Sequence, residues 1–411
     1  MKILFINSLY APHIGGGAEI ILQRTVEGLQ SQGVDVTVLA TGPEPGLSLS
    51  WVNDVKVYRA GLLNGYWHFG QQRPGRLARF GWHLRDRYNA GMRLYVREVL
   101  AAEQVDLVVC HNLCGWSVSV WDEITQAGLP IVQVLHDMYL LCPSSNMFKN
   151  GKSCQEQCAL CRQMRQGHAQ HSAQVDAVVG VSRYVLDQLL HEGYFRGSQS
   201  HVLHNGNPAS LLNGLSSCAK DSSPLRFGYI GTLSEAKGLR WLIEQFQRLP
   251  FDATLQIAGR GQLDYEAQLK KLATSPRISF VGYQKPENFY PHIDVAIVPS
   301  LWAEPFGMVA VEACACSVPV IASGQGGLPE IIYDQINGLL CSPEDRDSLG
   351  EAMLRLYQQP QLRAKLGAQA RASVAALLSL EPMIEGYLNI FTHTLQRKKV
   401  RYDSKPISQS V

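Results

Sequence analysis

"IDVAIVPSLWAEPFGMVAVEACA", residues 293–315, joins two signals. Its first part is a short apolar run that reads as a strand buried on both faces. The rest is helix-length and mostly apolar, yet it carries Glu304 and Glu312 eight positions apart. Burying an unpaired carboxylate costs several kcal/mol, so both acids need a partner. Pro305 suits a first helical turn, which predicts Glu304 at the helix start and Glu312 about two turns on, roughly 10 to 12 Å away along the axis. Two acceptor-only groups at that spacing suit a ligand with hydroxyls at both ends. The alternative is a dipole-favoured acid at the helix start and a surface glutamate, but the neighbours Val309, Val311, Ala313 and Ala315 argue against exposure.

Outward from that stretch, apolar runs alternate with amphipathic segments of helix length: "KILFIN", "DVTVLA", "DLVVCH", "PIVQVLHD", "DAVVGVS" and "SHVLHNG". Residues 205–224, rich in Asn, Gly, Ser and Pro, break the pattern and read as a linker. It restarts with "LRFGYIGT", "ATLQIAGR", "RISFVGY", "DVAIVPS" and "PVIAS". Such alternation predicts parallel sheets with crossover helices, hence an α/β chain of two facing Rossmann-like domains. The expected boundaries are 1–205 and 206–381, with a helix at about 382–398 packing back on the first domain and a basic, disordered tail at 399–411. Ligands of open α/β sheets bind beyond the carboxyl ends of the strands, so the cleft between the domains is the expected site.

The length of 411 residues agrees with two cores. A net charge of +2 with 18% charged residues gives no global argument for nucleic acid. "MKILFINSLYAP" is interrupted by Asn7 and Ser8, and no apolar stretch of membrane-spanning length follows, so the chain is expected in the cytoplasm with reduced thiols.

Gly15, Gly16 and Gly17 stand where the first strand turns into a helix. Glycines there let backbone amides approach an anion, or merely form a loose turn; the spacing is not that of a dinucleotide fingerprint. In "FGYIGTLSEAKGLRWLIEQF" Lys237 precedes a helix, where a cation opposes the macrodipole unless an anion is near. That makes it a phosphate-ligand candidate, the alternative being a lysine on a solvated turn.

"EPFGMVAVE" resembles the E-x7-E motif of the retaining family 4 glycosyltransferases, and "GGGAE", "GTLSEAKG", "IAGRG" and "GGLPEIIYDQINGLL" fall in that family's order. The resemblance runs from Met1 to about residue 395 and implies the two-Rossmann fold called GT-B. It further implies that Glu304 binds donor-sugar hydroxyls, Glu312 the ribose and Lys237 the diphosphate. Amides around Gly326 and Gly327 would cradle sugar or phosphate, Gly16 and Gly17 would close the other side, and His136 would contact the sugar near the reacting carbon. Gly231, Phe306 and Gly307 would line the donor. Where the family has arginine after the glycine of its "GRL" segment this chain has Thr232, so Arg260 or another residue would have to replace that cation. The implied chemistry is retaining transfer from a UDP- or GDP-sugar to a glycan or lipid-linked acceptor. In it the leaving diphosphate oxygen takes the acceptor proton, and no cofactor or metal is required. The one D-x-D string, Asp345 and Asp347, begins a helix and reads as a cap and a first-turn acid.

"HNLCGWS" and "HDMYLLCP", with Cys142, Cys154, Cys158 and Cys161, resemble a subset of bacterial surface-polysaccharide transferases. The C-x11-C-x3-C-x2-C spacing suits a structural zinc; free thiols are the alternative. Residues 64–97 carry seven arginines against one acid, interleaved with Trp67, Phe69, Phe80 and Trp82. They suit a peripheral membrane patch at the inner face of a membrane, or a helix pair packing its aromatics inward. Two other functions share the fold. A nucleotide-sugar epimerase would need acid/base carboxylates rather than this glutamate pair, and a non-catalytic partner of a transferase would be expected to have lost one of the glutamates or the lysine.

Overall fold

Strands buried on both faces should be apolar throughout, and Leu107–Cys110, Ile131–Leu135 and Ala177–Gly180 have every residue buried. The computed structural model describes residues 1–70, 74–207 and 224–403. Most of the expected linker, residues 208–223, lies outside them, as do 71–73 of the basic segment and 404–411 of the tail. Residues 399–403 continue the last helix, Glu381–Asp403, rather than forming a disordered tail.

The chain divides into two compact units, the first comprising Met1–Asn146, Glu156–His204 and the segment from Leu380 onward, the second Met147–Gln155 and Asn205–Ser379. Among the described residues the first unit holds an eight-stranded sheet in the order Gln199–Val202, Ala177–Gly180, Ile131–Leu135, Leu107–Cys110, Lys2–Ile6, Asp35–Gly42, Val55–Gly61, Leu47–Val52. All pair in parallel except the last, an antiparallel edge strand whose face is half exposed. Chain order reverses between Lys2–Ile6 and Leu107–Cys110, so loops after these strands diverge and leave room for a ligand. Helix Glu381–Asp403 packs on this unit: Phe391 meets Phe5 edge-on at 6.4 Å, and a Cβ on Gly28 would come within 2.8 Å of Ile384.

The second unit holds a six-stranded sheet in the order Ile278–Gly282, Ala253–Ala258, Leu225–Ile230, Val295–Val298, Val320–Ser323, Gly338–Cys341, parallel throughout. Its core includes Phe227, Leu242, Phe246 and Ile257. Here the order reverses between Leu225–Ile230 and Val295–Val298. The Lys237 turn follows the first of these strands and the Glu304 loop the second.

Candidate functional site

In the second unit, Lys237 closes a single 3-10 turn, Glu235–Lys237, and helix Leu239–Gln247 starts only after Gly238. Gly238 has φ +71°, and a Cβ there would fall 1.9 Å from the Pro299 carbonyl oxygen. No other residue type lets this turn lie so close to the end of Val295–Val298. The approach sets Lys237 Nζ 2.9 Å from Glu304 Oε1, and Ser300 Oγ donates to the same oxygen. Glu304 is buried, its side chain 9% exposed against 23% for Lys237. Lys237 Nζ also lies 5.4 Å from the Trp302 ring centroid. The buried carboxylate therefore has both a cation and a hydroxyl as partners.

Glu304 does not start the helix. The helix is Met308–Ala315, capped by Gly307 at φ +116°, so Pro305 lies in the preceding loop. Phe306 is buried and a Cβ on Gly307 would meet Leu328. Glu312 lies on that helix, half-buried, and accepts from Tyr290 Oη at 3.4 Å. The glycines of the next loop serve this one: Gly327 N–H donates to the Glu304 carbonyl at 2.7 Å, and Gly326, at φ +66°, would bring a Cβ within 2.5 Å of the Glu304 backbone. The expectation that amides here cradle a ligand is corrected for Gly327, whose N–H is spent on the chain. Gly231 N–H is bonded to the Ala258 carbonyl. Thr232 is exposed, and the next amide, Leu233 N–H, donates to Arg260 O at 2.9 Å. That bond brings Thr232 and Arg260 to adjacent strand ends, with the Arg260 guanidinium 5.7 Å from the Tyr283 ring.

A hairpin that sequence reasoning missed completes this region. Phe148–Lys149 pairs antiparallel with Lys152–Ser153 around Asn150 and Gly151, both at positive φ. Asn-Gly between two short strands is the common two-residue turn signal, legible in "FKNGKS". Ser153 Oγ accepts from Ala303 N–H at 2.7 Å and donates to Leu301 O at 3.2 Å.

In the first unit, helix Gly17–Ser31 begins at the glycine run. Its end is occupied by the chain's own carboxylate: Gly16 N–H donates to Glu19 Oε2 at 2.8 Å. Glu19 is buried, and burial raises its pKa despite amide bonds from Gly16 and Gly15. This corrects the reading of the Gly16 amide as free for a ligand. His136 directly follows strand Ile131–Leu135, and His111 follows Leu107–Cys110. His111 Nδ1 and His136 Nε2 stand 2.7 Å apart with the rings stacked. Burial lowers His136 to about 4, and lowers His111 well below its usual value. Both are neutral near pH 7. Burial pushes the adjacent Asp137 up to about 7.

Cys161 Sγ lies 3.7 Å from Cys142 Sγ, while Cys154 is carried by the second unit and Cys158 by the first. Among the described residues no group of three or more His, Cys, Asp or Glu side chains is placed to hold a metal ion. In the basic segment Trp82 is buried and donates to Tyr66 O, Trp67 donates to Thr41, and Arg93 and Arg97 hold Glu123. Yet helix Arg76–Arg87 leaves Leu77, Phe80 and Leu84 exposed by 88%, 52% and 48%. No helix among the described residues is long and apolar enough to cross a membrane.

Residues 217–373 match the family of group 1 glycosyl transferases, and residues 16–206 a glycosyl transferase 4-like domain. An uncharacterized 42.6 kDa protein in the cps region of Klebsiella pneumoniae is 28% identical over 80% of this chain and 87% of its own. An uncharacterized glycosyltransferase of Methanocaldococcus jannaschii is 26% identical over 95% and 98%. Among solved structures, Anabaena HepE in complex with UDP-glucose superposes with a TM-score of 0.70 at 20% identity, covering 96% of this chain and all of that one.

Proposed function

Because the chain is a glycosyltransferase of GT-B fold, each half matching a glycosyltransferase domain, we propose that it moves a hexose from a nucleotide sugar to a glycan or lipid-linked acceptor with retention. The observation that carries this reading is the Lys237–Glu304–Ser300 cluster at the switch point of the second sheet. A lysine ammonium has three N–H groups. With one on Glu304, two remain for a diphosphate, while Glu304 keeps an oxygen for donor-sugar hydroxyls. As the diphosphate departs, its growing charge meets a cation whose position is already fixed. Arg260 beside Thr232 is the candidate for the second cation. Glu312, steadied by Tyr290, is assigned to the ribose. His136, neutral and held by His111, would offer the sugar a hydrogen bond rather than a charge. The UDP-glucose held by Anabaena HepE favours a UDP-sugar donor. The relative in a cps region supports a role in polysaccharide assembly.

Leu77, Phe80 and Leu84 repeat at i, i+3 and i+7 on one face beside the exposed Arg76 and Arg85. That pattern fits peripheral contact with an anionic membrane, where a lipid-linked acceptor is met.

The test is a thermal-shift panel of UDP-glucose, UDP-galactose, UDP-N-acetylglucosamine and GDP-mannose, followed by NMR of the transfer product. A ligand at 100 times its Kd adds about 2.7 kcal/mol to stability. No shift from any nucleotide sugar, or a product of inverted anomeric configuration, would overturn the reading.

A further inference from the structure

The loop Leu301–Ala303 leads directly into Glu304, and its backbone is secured from two sides. On one, the Ala236 carbonyl, next to Lys237, accepts from Leu301 N–H at 2.8 Å and Trp302 N–H at 3.1 Å. On the other, the single hydroxyl of Ser153 takes Ala303 N–H at 2.7 Å and gives its own proton to Leu301 O at 3.2 Å. Ser153 comes from the Asn150–Gly151 hairpin, whose tip also reaches the Lys237 turn: a Cβ on Gly151 would stand 3.7 Å from Glu235 Oε1. The hairpin thus touches both the turn that carries the cation and the loop that carries the carboxylate.

We infer that Ser153 is a positioning residue for Glu304. By bridging Leu301 O and Ala303 N–H it fixes the loop one residue before the carboxylate, so that Glu304 Oε1 keeps its place against Lys237 and Ser300. The inference rests on the assignment of Glu304 to the donor sugar. A displacement of about 1 Å at such a carboxylate is enough to cost a hundredfold in rate. Nothing else among the described residues offers Ala303 N–H an acceptor in this structure.

Ser153→Ala removes the bridge and Ser153→Thr keeps the hydroxyl. Two measurements read the effect in the full chain. The first, hydrogen exchange of the peptide spanning 301–304, needs no ligand: it speeds up in Ser153→Ala and stays near parental in Ser153→Thr. The second uses whichever nucleotide sugar of the panel shifts the parent most, together with its bare nucleoside diphosphate. Ser153→Ala lowers kcat about ten- to a hundredfold and leaves the Kd of the bare diphosphate within about twofold, and Ser153→Thr restores most of kcat. Unchanged exchange at 301–304, parental kcat, or an equal loss of bare diphosphate binding overturns the inference. Glu304→Gln measured alongside separates the two ideas. If it is impaired while Ser153→Ala is not, only the role of Ser153 falls; if it turns over like the parent, the assignment of Glu304 falls first.

Discussion

Lys237 Nζ and Glu304 Oε1 are 2.9 Å apart, so the cation assigned to the diphosphate and the carboxylate assigned to the sugar form one hydrogen-bonded unit. Replacing either therefore changes the surroundings of both.

Lys237→Ala is expected to weaken nucleotide-sugar binding about ten- to a hundredfold, the value of a charge-assisted hydrogen bond. Read from sequence alone, a lysine at a helix start would be removed at no cost in stability. The structure reverses that expectation: the variant leaves the buried Glu304 with Ser300 alone and should lose about 1 to 3 kcal/mol. Chemical denaturation of Lys237→Ala, Glu304→Gln and the double variant checks this. The double variant should be more stable than the sum of the singles predicts, and strict additivity would mean that the pair is not coupled.

Glu304→Gln should spare the bare nucleotide and lower kcat about a hundredfold or more, because the Glu304 carboxylate is assigned to the sugar at the reacting centre. Glu312→Ala should do the reverse, raising the Kd of the bare nucleotide with a smaller effect on kcat. Calorimetry with UDP and steady-state kinetics distinguish the two, and identical profiles would dissolve the assignment of separate ends.

Stability should fall in mild acid. Burial holds His136 and His68 at about 4 and His168 at about 3, and His111 lower than usual, against about 6.5 in the unfolded chain. Between pH 6.5 and 4 the unfolded chain takes up these protons and the folded one does not, so stability drops as pH falls. Asp137, raised to about 7, and Glu19, also raised, act oppositely, since the folded chain keeps their protons after the unfolded one has lost them. Each net proton changes stability by about 1.4 kcal/mol per pH unit. Urea midpoints from pH 7 to 4.5 should decline, and His168→Gln, which retains a donor for the Arg87 carbonyl, should flatten the decline. A midpoint independent of pH would contradict neutral buried imidazoles.

Replacing Leu77, Phe80 and Leu84 together by Ser should reduce sedimentation with phosphatidylglycerol vesicles at 0.1 M salt while leaving turnover of a soluble acceptor near parental. Binding that survives the triple change would place any membrane contact elsewhere.

Fold class was legible because period and burial agree: strands such as Leu107–Cys110 are apolar at every position, as two-sided burial requires. The motifs singled out Lys237 and Glu304 separately, but not their pairing, since it depends on Gly238 letting a backbone pass close beside Pro299. The helix start was misplaced by three residues because Pro305 fits both a first turn and a loop. Gly16 and Gly327 read as open amides, whereas Glu19 and the Glu304 carbonyl, three and 23 positions away, consume them. Ser153 escaped notice although its turn signal was plain, because the significance of a hydroxyl 148 and 150 positions from its acceptor and donor groups is settled only by tertiary packing.

The Met147–Gln155 hairpin has a bearing on inheritance. Recombination that exchanged everything after the linker at Asn205 would transplant six parallel strands, the lysine and both glutamates, but would leave behind the nine residues that brace the loop before Glu304. A second half acquired in this way would meet a foreign hairpin, or none, at Leu301 and Ala303. The two halves of this chain therefore cannot be shuffled as freely as their boundaries suggest, and hybrids should work only when the "FKNGKS" segment travels with the half it supports.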